Sequence, residues 1–149
     1  RFVYNAFNPR PRPLLRQETS TTWVYTTATW RQAMASTFNQ VEVLCGLPCT
    51  TVDVSVFATA VNGSTAAASV TVSVDTTTVP TTIPITVTAI GTVADSVSGR
   101  YTGSPGLGYH YFPWLEISQA TGTTTWQAGG SAISGDVIAR SGLIGTVSQ

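Results

Sequence analysis

His110 is the only histidine in this 149-residue chain, and histidine is the side chain whose ordinary pKa suits acid–base chemistry near neutral pH. A catalytic dyad would join it to Ser or Cys, with a carboxylate to orient the ring. His110 stands between Tyr109 and Tyr111, and a histidine on an alternating aromatic strand reads as packed or interfacial, not as a base. No Gly-x-Ser-x-Gly elbow occurs. The seven carboxylates are scattered singly. A glycosidase needs two of them facing across a cleft, and no spacing selects a pair among Glu42, Asp53, Asp75, Asp95 and Glu116. No catalytic residue is therefore assigned, and the chain reads as a non-enzyme.

Cys45 and Cys49 frame Gly46-Leu47-Pro48. They form either a disulfide closing a tight turn or two buried thiols at a strand end. Two cysteines and one histidine do not supply a Cys-rich structural zinc site, and the spacing is not that of a thioredoxin motif. Gly103–Gly108 lacks the Lys-Ser/Thr that would follow in a phosphate loop. No metal or cofactor is expected. Asn62-Gly63-Ser64 matches a glycosylation sequon but also reads as a turn. Trp23, Trp30, Trp114 and Trp126, with the Tyr109–Trp114 cluster, read as core, subunit interface or sugar platform.

Strands must position these side chains. Lys is absent, only 9% of the chain is charged, and Thr and Ser dominate the polar positions, a composition that suits half-solvated pleated surfaces. Val52, Val54, Val56, Ala58 and Ala60 alternate with polar residues, Asn62-Gly63 follows, and Val70, Val72 and Val74 alternate again. This pattern predicts an antiparallel hairpin turning at Asn62-Gly63. Further short strands are predicted at 22–27, 40–45, 83–89, 93–101, 109–118 (bent at Pro113), 123–127, 136–139 and 143–147, with an exposed crossover over 76–82. Segment 29–40 reads as a single helical turn or a loop. The fold class is all-β, an antiparallel β-sandwich of jelly-roll type. A single domain spans 21–149, behind an extended N-terminal arm over 1–20 stiffened by Pro9, Pro11 and Pro13.

Net charge is zero, yet Arg1, Arg10, Arg12 and Arg16 precede every acidic residue. Four charges interleaved with proline and apolar residues are a thin footprint for nucleic acid. The arm is instead expected to pack on a neighbouring subunit through Phe2, Tyr4, Arg10, Arg12 and Leu14, with Tyr109, His110, Tyr111 and Trp114 as core or interface. No apolar run is long enough for a membrane helix, so membrane insertion is not expected. The chain begins at Arg1 without a signal-peptide pattern, so it is expected to be a fragment, a processed product or the ordered part of a longer protein.

Several blocks, in order, resemble a domain found at the C-terminal end of bacteriophage virion proteins of the tail-fibre-like and head-fibre-like kind. The most specific are Thr22-Trp23-Val24-Tyr25-Thr26-Thr27-Ala28-Thr29-Trp30-Arg31-Gln32-Ala33, followed by Asn39-Gln40-Val41-Glu42, and Gly108-Tyr109-His110-Tyr111 with Trp114-Leu115-Glu116. Arg1-Phe2, Tyr4-Asn5, Asn8, Val74-Asp75-Thr76-Thr77, Gly122-Thr123-Thr124-Thr125-Trp126 and Ser141-Gly142-Leu143-Ile144-Gly145 extend the likeness over nearly the whole chain. The Cys45/Cys49 pair departs from that pattern, so a disulfide would be local to this protein. The resemblance implies a virion-surface component without catalytic residues, assembled as a homotrimer. Its expected partners are other virion proteins and a host surface glycan. A carbohydrate-binding module and a glycan depolymerase are the rival expectations.

Overall fold

The computed structural model of the chain describes residues 10–48, 50–82, 85–134 and 137–148, with backbone alone over 131–134 and 137–138. Its strands are β1 (Pro11–Gln17), β2 (Thr22–Val24), β3 (Arg31–Gln32), β4 (Gln40–Cys45), β5 (Thr51–Asn62), β6 (Ala66–Val72), β7 (Thr88–Ile90), β8 (Asp95–Gly103), β9 (Gly108–Ser118), β10 (Thr124–Gln127), β11 (Ser131–Ser134), β12 (Val137–Ala139) and β13 (Gly142–Ser148). One 3-10 turn, Ala33–Ala35, interrupts them. Every strand pairing described is antiparallel, so the all-β expectation holds.

Two long strands act as spines. β5 pairs with β8 along one side, from Val52↔Gly103 to Ala60↔Asp95. Its other side is shared by β13 and β10, which in turn pair with β1 and β2. In the second sheet β9 pairs with β4 and β3 on one side and β6 on the other, with β7 beyond β6. Alternation decides what each spine buries. Val52, Val54, Val56, Ala58 and Ala60 of β5 are enclosed, and they meet Val70 and Val72 of β6 and Phe112 and Trp114 of β9 in one core.

The predicted hairpin at Asn62-Gly63 is not formed. β5 and β6 lie in different sheets, and the dipeptide is the corner between them. A type I′ hairpin needs positive φ at both central residues, and neither Asn62 nor Gly63 has it. The Asn62 side chain takes over the turn instead. Its Oδ1 accepts from the Ser64 amide at 2.8 Å, while its Nδ2 donates to Thr121 O and Thr124 Oγ1. Asparagine's capacity to bond its own backbone two residues on thus outweighs the hairpin preference of the pair.

Two further expectations change. The arm expected over 1–20 is, across Pro11–Gln17, a strand of the larger sheet. The Glu18 amide bonds Ser141 O, so even-numbered residues of β1 direct their amides at β13 and odd-numbered ones face away. Pro11 and Pro13 fall on the outward set, where no ladder bond is lost and these two positions offer a foreign strand no donor. The run 76–82, expected as an exposed crossover, is fastened to the outer face of the second sheet. Ser69 bonds Thr86 O, Thr71 bonds Thr82, and Ser73 bonds Val79 O, so alternate hydroxyls at the C-terminal end of β6 act as a row of hooks. The expected strand over 83–89 is realised as β7 alone, and Ile83 and Pro84 lie outside the described residues.

β9 runs unbroken past Pro113. The proline does limit β6. Ser73 N reaches Pro113 O at 3.1 Å, but proline offers no amide in return, and the regular strand stops at Val72.

Candidate functional site

Segment 29–40, left open between helical turn and loop, holds a 3-10 turn tied down by side-chain hydrogen bonds. Met34 and Ala35 both sit in the left-handed region, at φ 58° and 51°. Such conformations cost of order 1 kcal/mol each for non-glycine residues and persist only where surroundings impose them. Two buried carboxylates do so here.

Glu116 projects from β9 and is wholly enclosed. Its Oε2 accepts from Trp23 Nε1 at 2.8 Å. Its Oε1 accepts from Arg31 Nε at 2.8 Å and from the Met34 amide at 3.1 Å, with Arg31 Nη2 also at 2.8 Å. Arg31 lies 3.6 Å over the Tyr25 ring, a close cation–π contact. Burial pushes the Glu116 carboxyl above the usual carboxylate range, while Trp23, Arg31 and Met34 pull it back. Around this knot Trp23 stands edge-on to Trp114, at 5.6 Å between centroids, and stacks with Trp126 at 6.4 Å. Trp23 and Glu116, joined here, stand ninety-three positions apart in the sequence.

Glu18 holds the far end of the segment. Its Oε1 accepts from the Thr19 and Ser20 amides and its Oε2 from Asn39 Nδ2 at 2.6 Å, and Asn39 Nδ2 also reaches Ala33 O. Burial alone would raise its pKa, but bonds from Ser20, Asn39 and Thr19 hold the carboxyl below the usual range. A lowered folded-state value means that its stabilisation is present above about pH 4.5 and is lost as pH falls through the folded value. Glu18→Gln is therefore expected to cost about 1–2 kcal/mol at pH 7. The gap to the parent should close in acid, as read from paired thermal melts between pH 7 and pH 3.

His110 Nδ1 lies 2.7 Å from Asp75 Oδ2, and Asp75 Oδ1 accepts from the Tyr111 amide. Asp75, at φ 56°, turns the chain there. In register His110 opposes Val43, so it shares the inner face of the sheet with Cys45. Cys45 is buried, and burial and the Asp75 charge raise the pKa of its thiol. Among the described residues His110 Nε2 has no hydrogen-bond partner. Asp75 thus ties the His110 ring and the Tyr111 amide together. Cys49 lies outside the described residues, so the proposed bridge does too.

The remaining expected contact residues separate. Trp114 is fully enclosed and belongs to the core. Leu14 packs partly against that core, Tyr109 is 57% exposed, His110 and Tyr111 are half-buried, and Arg10 and Arg12 are exposed. Phe2 and Tyr4 lie outside the described residues. Two of the carboxylates considered for a glycosidase pair are engaged apart from Glu116, Asp53 by Arg100 and Thr102 and Asp75 by His110.

Compared with known proteins, the sequence matches no protein-family model and no curated protein. The geometry therefore carries the functional reading. Sequence reasoning missed Glu18, Asn39 and Phe38. Phe38 is 70% exposed at the end of the tethered segment, and only its place in an unassigned stretch flagged it.

Proposed function

We propose that this chain is a structural module of a bacteriophage virion, either a head fibre or decoration protein or the distal domain of a tail fibre. It acts by assembly and surface adhesion, without chemistry of its own. The observation that carries this reading is the convergence of the two most specific resemblance blocks on the buried Glu116 knot. Residues that a family shares for catalysis would line an open cleft. Trp23 and Glu116 are enclosed, and their bond joins a strand of one sheet to a strand of the other.

On this reading the two sheets form a jelly-roll-like β-sandwich, and copies associate as a homotrimer on the particle surface. Supporting an interface, Leu15, Ile144 and Phe57 are exposed by 72%, 54% and 53% on the outer face of the larger sheet. Leu15 and Ile144 are cross-strand partners. Apolar side chains grouped this way on a charge-poor surface suit subunit contact.

A carbohydrate-binding module is the second reading, favoured by Trp30, which is only half-buried beside a groove of about 390 Å³ with Val87, Ile117 and Gln119. Density maps of phage particles carrying this chain test the first reading directly. A repeated two-sheet module at the head or tail surface is expected, and absence of the chain from intact particles would overturn it.

A further inference from the structure

A groove of about 560 Å³ runs between β1 and β4, where the edges of the two sheets come together. Its walls are Leu14 and Arg16 on one side and Thr37, Phe38, Gln40 and Glu42 on the other. That volume falls in the range of small-molecule sites. Its polar groups are already oriented. Gln32 Nε2 donates to Gln40 Oε1 at 3.1 Å, and Gln40 Nε2 donates to Glu42 Oε1 at 2.8 Å, so each amide's direction is set before anything binds. Arg16 donates its Nε–H to Phe38 O, and its guanidinium carbon lies 5.0 Å from the centroid of the Phe38 ring. Phe38 is 70% exposed, on a loop held by the Glu18–Asn39 bond and by the left-handed pair at Met34 and Ala35.

We propose that this groove binds a neutral saccharide, a single ring or short glycan, with its C–H face on Phe38 and its hydroxyls bonded to Arg16, Gln40 and Glu42. An aromatic face is electron-rich and attracts the polarised C–H face of a sugar. A guanidinium, an amide and a carboxylate together provide donors and acceptors for neighbouring hydroxyls. One cation and one anion in the walls balance, which favours a neutral sugar over a sialylated or phosphorylated one. An extended peptide is the rival occupant. Pro11 and Pro13 remove outward donors from β1, so an entering strand would meet a broken ladder on that side. The site is independent of the assembly reading, because a monomer presents the same groove.

The test is an NMR titration of the ¹⁵N-labelled chain with glucose, galactose, N-acetylglucosamine, maltose, cellobiose and chitobiose. At least one sugar should move the amides of Arg16, Phe38, Gln40 and Glu42 saturably. Phe38→Ala and Glu42→Gln should each weaken that binding about tenfold or more, with melting temperatures unchanged because both side chains are exposed. The proposal is overturned if no sugar gives a saturable shift, if shifts map to the Trp30 groove, if both variants bind like the parent, or if an oligothreonine peptide perturbs β4 where no sugar does.

Discussion

Glu116→Ala is expected to destabilise the fold by about 3–5 kcal/mol, the range for removing one partner of a buried ion pair. The residue is 0% exposed and accepts from three donor groups. Truncation leaves the Trp23 indole N–H, the Met34 amide and the Arg31 guanidinium without their acceptor, and leaves a void beside two stacked tryptophans. At about 2–4 °C per kcal/mol for a domain of this size, the melting temperature should fall by roughly 10 °C. Glu116→Gln keeps the shape and one acceptor oxygen but turns an NH₂ towards donors, so its loss should lie between the parent and Ala. Because Met34 N loses its tether in Glu116→Ala, amide exchange should speed up over 33–39 before it does in β5. Equal stability of Glu116→Ala and the parent in a urea titration would contradict the structural role given to the knot.

Gly99→Ala is expected to cost about 1–3 kcal/mol although it adds one methyl group. Gly99 lies on β8, where that strand crosses β6 of the other sheet. A Cβ there would come within 2.6 Å of Val70 O and 2.7 Å of Thr71 Cα. Facing sheets ordinarily stand about 10 Å apart, with side chains between them. Here backbone meets backbone, and neither neighbour is a flexible side-chain tip that can move aside. The sheets must separate locally, loosening the contacts of Val70 and Val97 in the core. Gly46, with open space around it, is the control, and Gly46→Ala should melt like the parent. Coincident melting of the parent and both variants would remove the close crossing.

Much of this architecture was legible as alternation. The buried set on β5, the polar face opposite it, and the limits of β9 and β13 follow from period-two patterning of valine, alanine and aromatics. Pairing was less legible. Alternation says which face a residue takes but not which strand lies beside it, so the β5–β6 hairpin was a sound local inference overruled by the Asn62 side chain. The arm misled for a related reason. Prolines argue against an interior strand but are compatible with an edge, and an edge is defined only by the rest of the fold. The candidate sites were least legible. Glu116 reads as a lone acidic residue in an apolar strand, and its role depends on Trp23 and Arg31, 93 and 85 positions away. The Phe38 groove depends on Glu18 and Asn39 meeting across a loop that has no periodic signal.

The central proposal is that this chain is an assembly module of a virion surface. Sedimentation equilibrium of the purified chain tests it most directly. The account predicts a mass of three copies of the 15.7 kDa chain, reduced to one copy when Leu15, Phe57 and Ile144 are replaced together by Ser. A parent chain that stays a monomer at all concentrations measured would contradict it.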